Sequence, residues 1–252
     1  MPDTFFGWVG FLLDKYGIMF LQGAATTMLI AVVGTLIGFM IGLVIGIVRT
    51  VPLDENSSLI KKIVLKIVRA ILIAYIEFFR GTPMIVQAMV IYYGAMQYLS
   101  WDMSPTFAAI FIISINTGAY LAEVVRGGII SVDKGQTEAA HSIGMTHWQT
   151  MTSVVLPQAI RNIMPALGNE FVINIKDSSV LNVISVTELF FISKSAAGTY
   201  MKYFEVFAIT CAIYFVLTFA VTRILLAFEK KMDGPSNYDM YSLEETEGIG
   251  HV

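Results

Sequence analysis

A run without a single charged residue, from Ile18 to Val48, constrains this chain more than any other feature. An α-helix rises about 1.5 Å per residue, so the run is more than long enough to cross a hydrocarbon core of roughly 30 Å. Only 14% of the 252 residues are charged, whereas a soluble domain of this size exposes far more charge. The chain is therefore predicted to be an integral membrane protein.

Glycine recurs at every fourth position within that run, at Gly34, Gly38, Gly42 and Gly46. Residues four apart share one face of a helix, and a face of glycines lets a second helix approach backbone to backbone. The ladder therefore predicts a close helix crossing. The alternative is that it reflects only the high glycine content of membrane helices.

Four further apolar segments bring the prediction to about five transmembrane helices in an all-α protein. They run from Ile63 to Leu99, from Phe107 to Ile130, from Pro157 to about Leu189 and from Tyr203 to Phe228. The second span is too long for one straight helix, and Gly81-Thr82-Pro83 is expected to break it, because proline removes a helix hydrogen bond. The fourth is rich in polar residues and is also expected to be irregular. The connections are predicted as Arg49 to Lys62, Ser100 to Pro105 and Glu188 to Lys202.

Both ends of the chain are expected to lie outside a transmembrane domain of residues 18–230. Residues 1–17 are rich in aromatic side chains, which favour the headgroup zone, and are predicted to be an extracytoplasmic interfacial segment. The apolar patch from Phe5 to Leu13 is too short to span and has no basic flank, so no cleavable signal is predicted. Residues 231–252 carry Glu244, Glu245 and Glu247 and are predicted to be a disordered acidic cytosolic tail.

Basic residues predict which side of the membrane each connection faces. With five spans, three clusters share one side: Arg49 to Arg69, Arg126 to Arg161, and Arg223 to Lys231. By the positive-inside rule this side is cytosolic, which places the N-terminus outside and the C-terminus inside a cytoplasmic membrane. Two full crossings in the broken second segment would destroy the agreement, so five is preferred.

Residues 136–157 form the least membrane-like part of the middle of the chain, and they lie between two spans. We predict a short helix, a turn and a second short helix. Thr137 is expected to cap the first helix and Glu138 to begin it, near the positive end of the helix dipole. Gly144 is expected to supply a turn with positive φ, and Pro157 to restrict the helical geometry of Leu156. An apolar stripe is expected at Trp148, Met151, Val154 and Val155.

The spacing in this loop is Glu138-Ala139-Ala140, three residues, Gly144, nine residues, Val154, one residue, Leu156-Pro157. It resembles the EAA loop of the membrane subunits of ATP-binding-cassette (ABC) importers, whose helix docks into a cleft of a separate ATPase subunit. Isoleucine is commoner at the position of Val154. The resemblance implies a cytosolic coupling helix and an ATPase-coupling role for six residues: Glu138, Ala139, Ala140, Gly144, Leu156 and Pro157. A solvated loop without a partner is the alternative.

A second stretch, Phe79-Arg80-Gly81-Thr82-Pro83 followed by Gln87, resembles a signature of the polar amino-acid subfamily of these permeases. The resemblance extends over about residues 20 to 230. It implies the type I ABC importer permease fold and import of a polar amino acid, as in histidine, glutamine and arginine permeases. The implied partners are an ABC ATPase dimer, a second permease subunit, identical or homologous, and an extracytoplasmic amino-acid-binding protein.

Energy for transport is expected to come from elsewhere, because the chain has no Gly-rich phosphate loop ending in Gly-Lys-Ser or Gly-Lys-Thr. ATP and Mg²⁺ are accordingly expected on the partner ATPase, and this chain is predicted to bind no cofactor and not to be an enzyme. It has one cysteine, Cys211, and three histidines without ligand spacing, so no metal site is predicted. The near-neutral net charge of −3 gives no reason to expect a nucleic-acid partner.

Polar residues inside the spans are candidates for the translocation path, because they are costly in lipid and usually face a bundle interior or a cavity. The candidates are Glu77, Arg80, Thr82, Gln87, Asn116, Tyr120, Glu123, Glu170, Asn174, Lys176 and Asp177. Together they offer the donors and acceptors that a zwitterionic amino acid needs.

Structural roles compete with this interpretation for several of the candidates. Lys176 and Asp177 can neutralise each other, Arg80 can anchor to outer headgroups, and Glu123 can pair with Arg126 on its own helix. An ion-coupled secondary transporter or channel-like protein is the main alternative function, since broken spans and intramembrane charges occur there too. It leaves the EAA-like loop unexplained. A membrane-embedded enzyme would need a nucleophile with a base, or a metal cluster, at membrane depth, and the sequence offers neither.

Overall fold

The computed structural model describes residues 2–52 and 58–232, and all regular structure in this part is helical. The helices are α1 (Phe5–Thr50), α2 (Leu59–Gly81), α3 (Met84–Leu99), α4 (Pro105–Ile130), α5 (Lys134–Ser142), α6 (His147–Thr150), α7 (Leu156–Asp177), α8 (Leu189–Tyr200) and α9 (Tyr203–Met232). A π-helical turn, Met151–Val155, joins α6 to α7, and a 3₁₀ helix, Ser178–Ile184, follows α7. The predicted acidic tail from residue 233 onward and the middle of the predicted linker, residues 53–57, lie outside the described residues.

Helix α1 is continuous over 46 residues, from a cap at Thr4 to Arg49 and Thr50. The Thr4 hydroxyl accepts a hydrogen bond from the backbone N–H of Gly7, which satisfies one of the free donors of the first turn. No break separates the aromatic segment of residues 5–17 from the apolar run that follows. The predicted interfacial segment is therefore the first part of the same helix, and its position at the membrane surface stays a prediction.

The glycine ladder of α1 packs directly on α4, as the sequence predicts. A Cβ atom added at Gly34, Gly38, Gly42 or Gly46 would lie only 2.5 to 2.8 Å from a side chain of α4. The four neighbours are spaced in the same way, at Ile113, Thr117, Leu121 and Val125. Because both series rise together, α1 and α4 run parallel and form the closely packed centre of the bundle.

Helix α2 runs antiparallel to α1 and α4. Its Arg69 donates a hydrogen bond to the backbone carbonyl of Val51, at the end of α1. Ten residues further along α2, the carbonyl of Phe79 accepts from Asn116, near the middle of α4. Helix α2 therefore begins at the end of the bundle where α1 and α4 finish.

Helix α7 is antiparallel to α4, and α9 is antiparallel to α7. Gly128 of α4 lies against Ile163 of α7, close to the connecting loop. Gly168 of α7 faces Leu225 of α9, and further along, Ile175 packs with Val221. Within the described residues, the chain therefore passes through the bundle five times, and the loop containing α5 lies at the same end as the last residues of α1, α4 and α9.

Length and apolar composition alone identify fewer spans than this. Three helices are long and apolar enough to cross a membrane: α1, α4 and α9. The fourth is the bent pair formed by the helical stretch His147–Ile184 and α8, with an angle of 56° between them. Helix α2 does not qualify by composition, since it carries six charged residues, so its crossing together with α3 rests on the direction of the chain.

The region from Glu188 to Lys202 is not the polar connection that the sequence predicts. It contains helix α8, whose Leu189, Ala196 and Ala197 are buried against α1 and α9. The Glu188 carboxylate caps this helix by accepting from the backbone N–H groups of Phe190 and Phe191, both at 2.7 Å. The polar residues of this region cap α8 or lie on its exposed face, and they do not form a loop.

Candidate functional site

The segment from α5 to the start of α7 forms a compact unit at one end of the bundle. Asp133 caps α5 by accepting from the N–H of Gly135 at 2.7 Å. At the other end of α5, Gly144 has φ of +83° and its N–H donates to the carbonyl of His141 at 2.9 Å. The predicted left-handed turn at Gly144 is thus confirmed, and it reverses the chain into α6.

Several predicted details of this unit are wrong. Thr137 does not cap α5, because the helix begins three residues earlier, and Glu138 lies in its middle and not at its start. Leu156 keeps helical dihedral angles before Pro157. Proline is tolerated there because it directly follows the π-helical turn Met151–Val155, where the regular series of α-helical hydrogen bonds is already interrupted.

The second helix of the loop is therefore not short. Helix α6 begins at a capping box in which the side chains of Thr146 and Gln149 each bind the other residue's backbone N–H, at 3.3 and 2.8 Å. It continues through the π-helical turn into α7, so the loop and the membrane helix form one continuous rod.

One side of this unit is anchored in the bundle. Ala140 of α5 is only 4% exposed, and Met151 and Val155 of the π-helical turn pack in a core with Val125 and Ile129 of α4. Of the predicted apolar stripe, Met151 and Val155 are buried, whereas Val154 is half-buried and Trp148 is exposed. The stripe thus divides between the core and the surface.

The other side of the unit is open and partly apolar. Ile143 is 80% exposed and Trp148 is 69% exposed, and Glu138 and Ala139 lie beside them on the surface. Large exposed apolar side chains on the polar end of a membrane protein indicate a surface that another protein covers. Of the six predicted coupling residues, Ala140 and Leu156 contribute to anchoring, and the others lie on the exposed side.

The predicted break in the second span is confirmed between α2 and α3, at Thr82 and Pro83. Gln87, which is 3% exposed, bridges the break. Its side-chain amide donates to the carbonyls of Phe79 and Thr82, both at 2.9 Å. The amide of Asn116 on α4 in turn donates to the Gln87 side-chain oxygen at 2.9 Å. Together, Gln87 and Asn116 satisfy backbone carbonyls that the broken helix leaves free.

Three other candidates lie near the break on its exposed side. The Arg80 guanidinium lies over the Tyr120 ring, 5.5 Å from its centroid. Glu77 is exposed one turn earlier on α2 and makes no ion pair among the described residues. The structure therefore brings together Arg80, Tyr120, Gln87 and Asn116 where α2, α3 and α4 meet.

Glu123 is held in an ion-pair network and not in an open path. It binds Arg126 of its own helix at 2.9 Å, as the local-pair interpretation predicts, and Arg49 at the end of α1. The Arg49 contact was not predicted, because a separation of 74 residues leaves no local signal. The network clamps the parallel ends of α1 and α4 next to the coupling unit.

The charged candidates of α7 separate onto two faces. Glu170 and Asp177 are seven positions apart, so they share one face, and both are partly buried. Lys176 lies about 100° further round the helix and is exposed. Lys176 and Asp177 form no direct ion pair in the described part of the chain, but the two adjacent charges still attract each other electrostatically.

Two buried polar clusters were not predicted as units. The Asn174 amide donates to Thr35 of α1 at 2.8 Å and to Thr117 of α4 at 2.9 Å, at the centre of the bundle. Glu188 also accepts from the Tyr214 hydroxyl of α9 at 3.1 Å. A polar residue inside an apolar run indicates such a cluster, but its hydrogen-bond partners cannot be identified from the sequence.

Comparisons with known proteins agree with this architecture. Residues 60–234 match the family described as binding-protein-dependent transport system inner membrane component. The chain is 42% identical over 163 residues to the probable amino-acid permease protein YxeN of Bacillus subtilis, covering 64% of this chain and 73% of that protein. It is 37% identical over 161 residues to the glutamine transport system permease protein GlnP of Escherichia coli, covering 64% and 74%.

Solved structures give the same result for the fold. A crystal structure of an amino acid ABC transporter with histidines superposes with a TM-score of 0.76 and 37% identity, covering 92% of this chain and all of that chain. The MetNI methionine ABC transporter, in an inward-facing conformation, gives a TM-score of 0.66 at 19% identity and shares the fold. The predicted type I ABC importer permease fold is confirmed, and the chain belongs to the family of inner-membrane components of binding-protein-dependent transport systems.

Proposed function

We propose that this chain forms half of the translocation path of an ATP-driven importer for a polar amino acid. The other half is a second permease subunit, and the energy comes from a dimer of separate ATPase subunits that bind ATP and Mg²⁺. An extracytoplasmic binding protein delivers the amino acid. The similarity to amino-acid permeases over most of the chain supports the substrate class.

The observation that carries the proposal is the coupling unit with one anchored and one open side. Residues Glu138, Ala139, Ile143 and Trp148 present a mixed apolar and polar surface that fits a protein cleft. Because α6 continues into α7, closure of an ATPase pair around ATP pulls on a continuous helical rod that leads into the bundle, and not on a separate loop. Hydrolysis then releases the rod and resets the path.

We further propose that the end of the bundle bearing α5 is cytosolic and that the first residues of α1 lie outside the cytoplasmic membrane. Arg49, Arg69, Arg126 and Arg161 all lie at or near the α5 end, which supports this orientation by the positive-inside rule. The predicted path residues are then ordered by depth. Arg80, Gln87 and Asn116 lie near the middle of the membrane, beyond the cytosolic network of Glu123.

The test is a reconstituted complex of this chain with its ATPase and binding protein. Stimulation of ATP hydrolysis by one member of an amino-acid panel, only when the binding protein is present, is the expected result. A complex whose ATP hydrolysis ignores this chain and every amino acid, while vesicles still move solute down an ion gradient, contradicts the proposal.

The coupling surface is tested with the double variant Glu138→Lys, Gly144→Asp. We expect it to lose binding of the ATPase subunit, because a charge is reversed on the open side and the left-handed turn is strained. Asp102→Lys is the matched control, since the same kind of charge reversal lies on an exposed turn at the opposite end of the bundle. Equal ATPase binding by the double variant and wild type, with transport intact, removes the coupling role.

A further inference from the structure

The first turns of α2 carry an exposed apolar stripe. Ile60, Ile63, Val64 and Ile67 recur at helical spacing and are between 49% and 76% exposed. Ile76, the buried residue of α2, lies on the opposite side of the helix, where it packs on α1 and α4. The stripe therefore faces away from the bundle, and the bundle does not cover it.

This stripe lies beyond the hydrocarbon core. Arg49 ends the uncharged run of α1, and Arg69 of α2 donates to the carbonyl of Val51 close by. The part of α2 that precedes Arg69 extends about 15 Å further toward the α5 end, at about 1.5 Å per residue. The headgroup zone is about 5 to 8 Å deep on each side of the core. An apolar stripe at this level needs a protein partner or the lipid surface to cover it.

The charge around the stripe favours an anionic partner. Residues 58–76 include basic residues but no acidic residue, and the linker before them adds only Asp54 and Glu55. The basic residues are Lys61, Lys62, Lys66 and Arg69. Lys61 and Lys66 are exposed and make no ion pair within the described residues. The segment therefore keeps a positive charge that no neighbouring carboxylate in the described part neutralises.

The two exposed lysines lie where an amphipathic helix on a lipid surface places them. At about 100° per residue, Lys61 and Lys66 each lie about 60° beyond the stripe, on opposite flanks. Long lysine side chains reach phosphates there while their stems and the apolar stripe rest on acyl chains. Basic clusters just cytosolic of a membrane helix are typical of anionic-lipid binding.

We infer that the first turns of α2, from Leu59 to Arg69, bind anionic phospholipid of the cytosolic leaflet. The apolar stripe inserts among the acyl chains, and Lys61 and Lys66 bind phosphates on either side of it. The inference rests on the proposed cytosolic orientation of the α5 end. It goes beyond the proposed function because it adds the lipid surface as a partner of this chain.

The experiment places a nitroxide label on the stripe in the reconstituted permease–ATPase complex. Ile63→Cys is labelled in a Cys211→Ala background, in vesicles of phosphatidylcholine alone or of equal parts phosphatidylcholine and phosphatidylglycerol. Collisions with oxygen and with a water-soluble nickel chelate give the ratio of lipid-immersed to water-exposed label. We expect phosphatidylglycerol to raise this ratio.

A pair of double variants tests the lysines. Each lysine near an anionic surface contributes a factor of about five, so Lys61→Gln/Lys66→Gln is expected to lower the ratio about 25-fold in the anionic vesicles. Lys230→Gln/Lys231→Gln is the matched control, since it removes two exposed charges from α9 at the same end of the bundle. We expect the control to keep the ratio of the labelled parent protein.

A second measurement needs no substitution and so does not depend on the folding of a variant. In vesicles that contain equal amounts of both lipids, photoreactive phosphatidylglycerol is expected to label peptides from residues 59–69 at least about fivefold more than photoreactive phosphatidylcholine. The preference is expected to fall at 1 M salt, where the Debye length is about 3 Å.

Three results overturn the inference: equal immersion with and without phosphatidylglycerol, equal photolabelling by the two lipids, or a label that is immobile and shielded from both collision partners. The last result would assign the stripe to the ATPase or to the second permease subunit. None of these measurements requires transport, so each result leaves amino-acid import intact. A complex that transports no amino acid contradicts the proposed function and not the lipid contact.

Discussion

Gly38 shows at the scale of one residue why the centre of the bundle needs glycine. A Cβ atom at this position would lie 2.8 Å from both Cβ and Cγ2 of Thr117, and the Thr117 hydroxyl is committed to Asn174. Thr117 cannot move aside without breaking the buried cluster that joins α1, α4 and α7. Gly94 of α3 differs, because nothing lies within 4 Å of the corresponding point.

We predict that Gly38→Ala lowers the free energy of unfolding by about 1 to 3 kcal/mol, the usual cost of forcing extra atoms into a packed core. Gly94→Ala is the matched control and is expected to leave stability unchanged or slightly higher, since alanine favours a helix more than glycine. Unfolding of both variants in detergent micelles, followed by circular dichroism, measures the difference. Equal stability of the two variants would show that the α1–α4 contact is looser than described.

The break between α2 and α3 shows how one element depends on side chains of another. Proline removes backbone hydrogen bonding at the break, and membrane interiors offer no water to replace it. Gln87 supplies donors to the carbonyls of Phe79 and Thr82, and Asn116 of α4 fixes the Gln87 amide from the other side. The kink is thus a defined structure and not a flexible joint.

Replacement of Gln87 by leucine is predicted to destabilise the protein by about 1 to 3 kcal/mol, because the Thr82 carbonyl loses its donor and the Asn116 amide loses its acceptor on Gln87. We also expect slower transport at unchanged ATPase binding, since the coupling unit is remote from the break. Gln97→Leu, at an exposed position of the same helix, is the control. Chemical unfolding and uptake into proteoliposomes provide the two measurements, and a Gln87→Leu protein as stable and active as Gln97→Leu would refute the role of the side chain.

At the scale of the whole molecule, five passes of alternating direction place the α5 unit and α8 at opposite ends. The same alternation brings Arg49, Arg126 and the start of α2 together at one end, where Glu123 binds two of the arginines. Charge distribution and chain direction therefore agree on the orientation in the membrane. An even number of passes would place these basic clusters on opposite sides of the membrane.

The orientation predicts opposite labelling of two engineered cysteines after Cys211, the one native cysteine, is replaced by alanine. Lys194→Cys on α8 is expected to react with a membrane-impermeant maleimide in intact cells. Gln136→Cys on α5 is expected to react only in inverted vesicles or after the membrane is opened. Both positions are exposed, so reaction of the two from the same side would disprove the five-pass topology.

Features that depend on local physics can be read from the amino-acid sequence alone. Apolar runs mark α1, α4 and α9 because charge is costly in lipid, and Pro83 marks the break because it has no N–H. Gly144 marks the turn because glycine adopts a positive φ without strain. The glycine ladder also indicated a close crossing, although not the helix that fills it. These signals lie within one helix turn or one apolar run, and the structure confirms them.

The contacts between distant residues become visible only in the three-dimensional structure. The partners of Glu123, Asn174 and Glu188 include residues between 26 and 139 positions away. The helical state of α8 also depends on packing: α1 and α9 cover its apolar side, while its polar residues lie at the cap and on the exposed face. Hydropathy reports the free energy of one segment in lipid, whereas these contacts depend on how the segments pack, which no local pattern specifies.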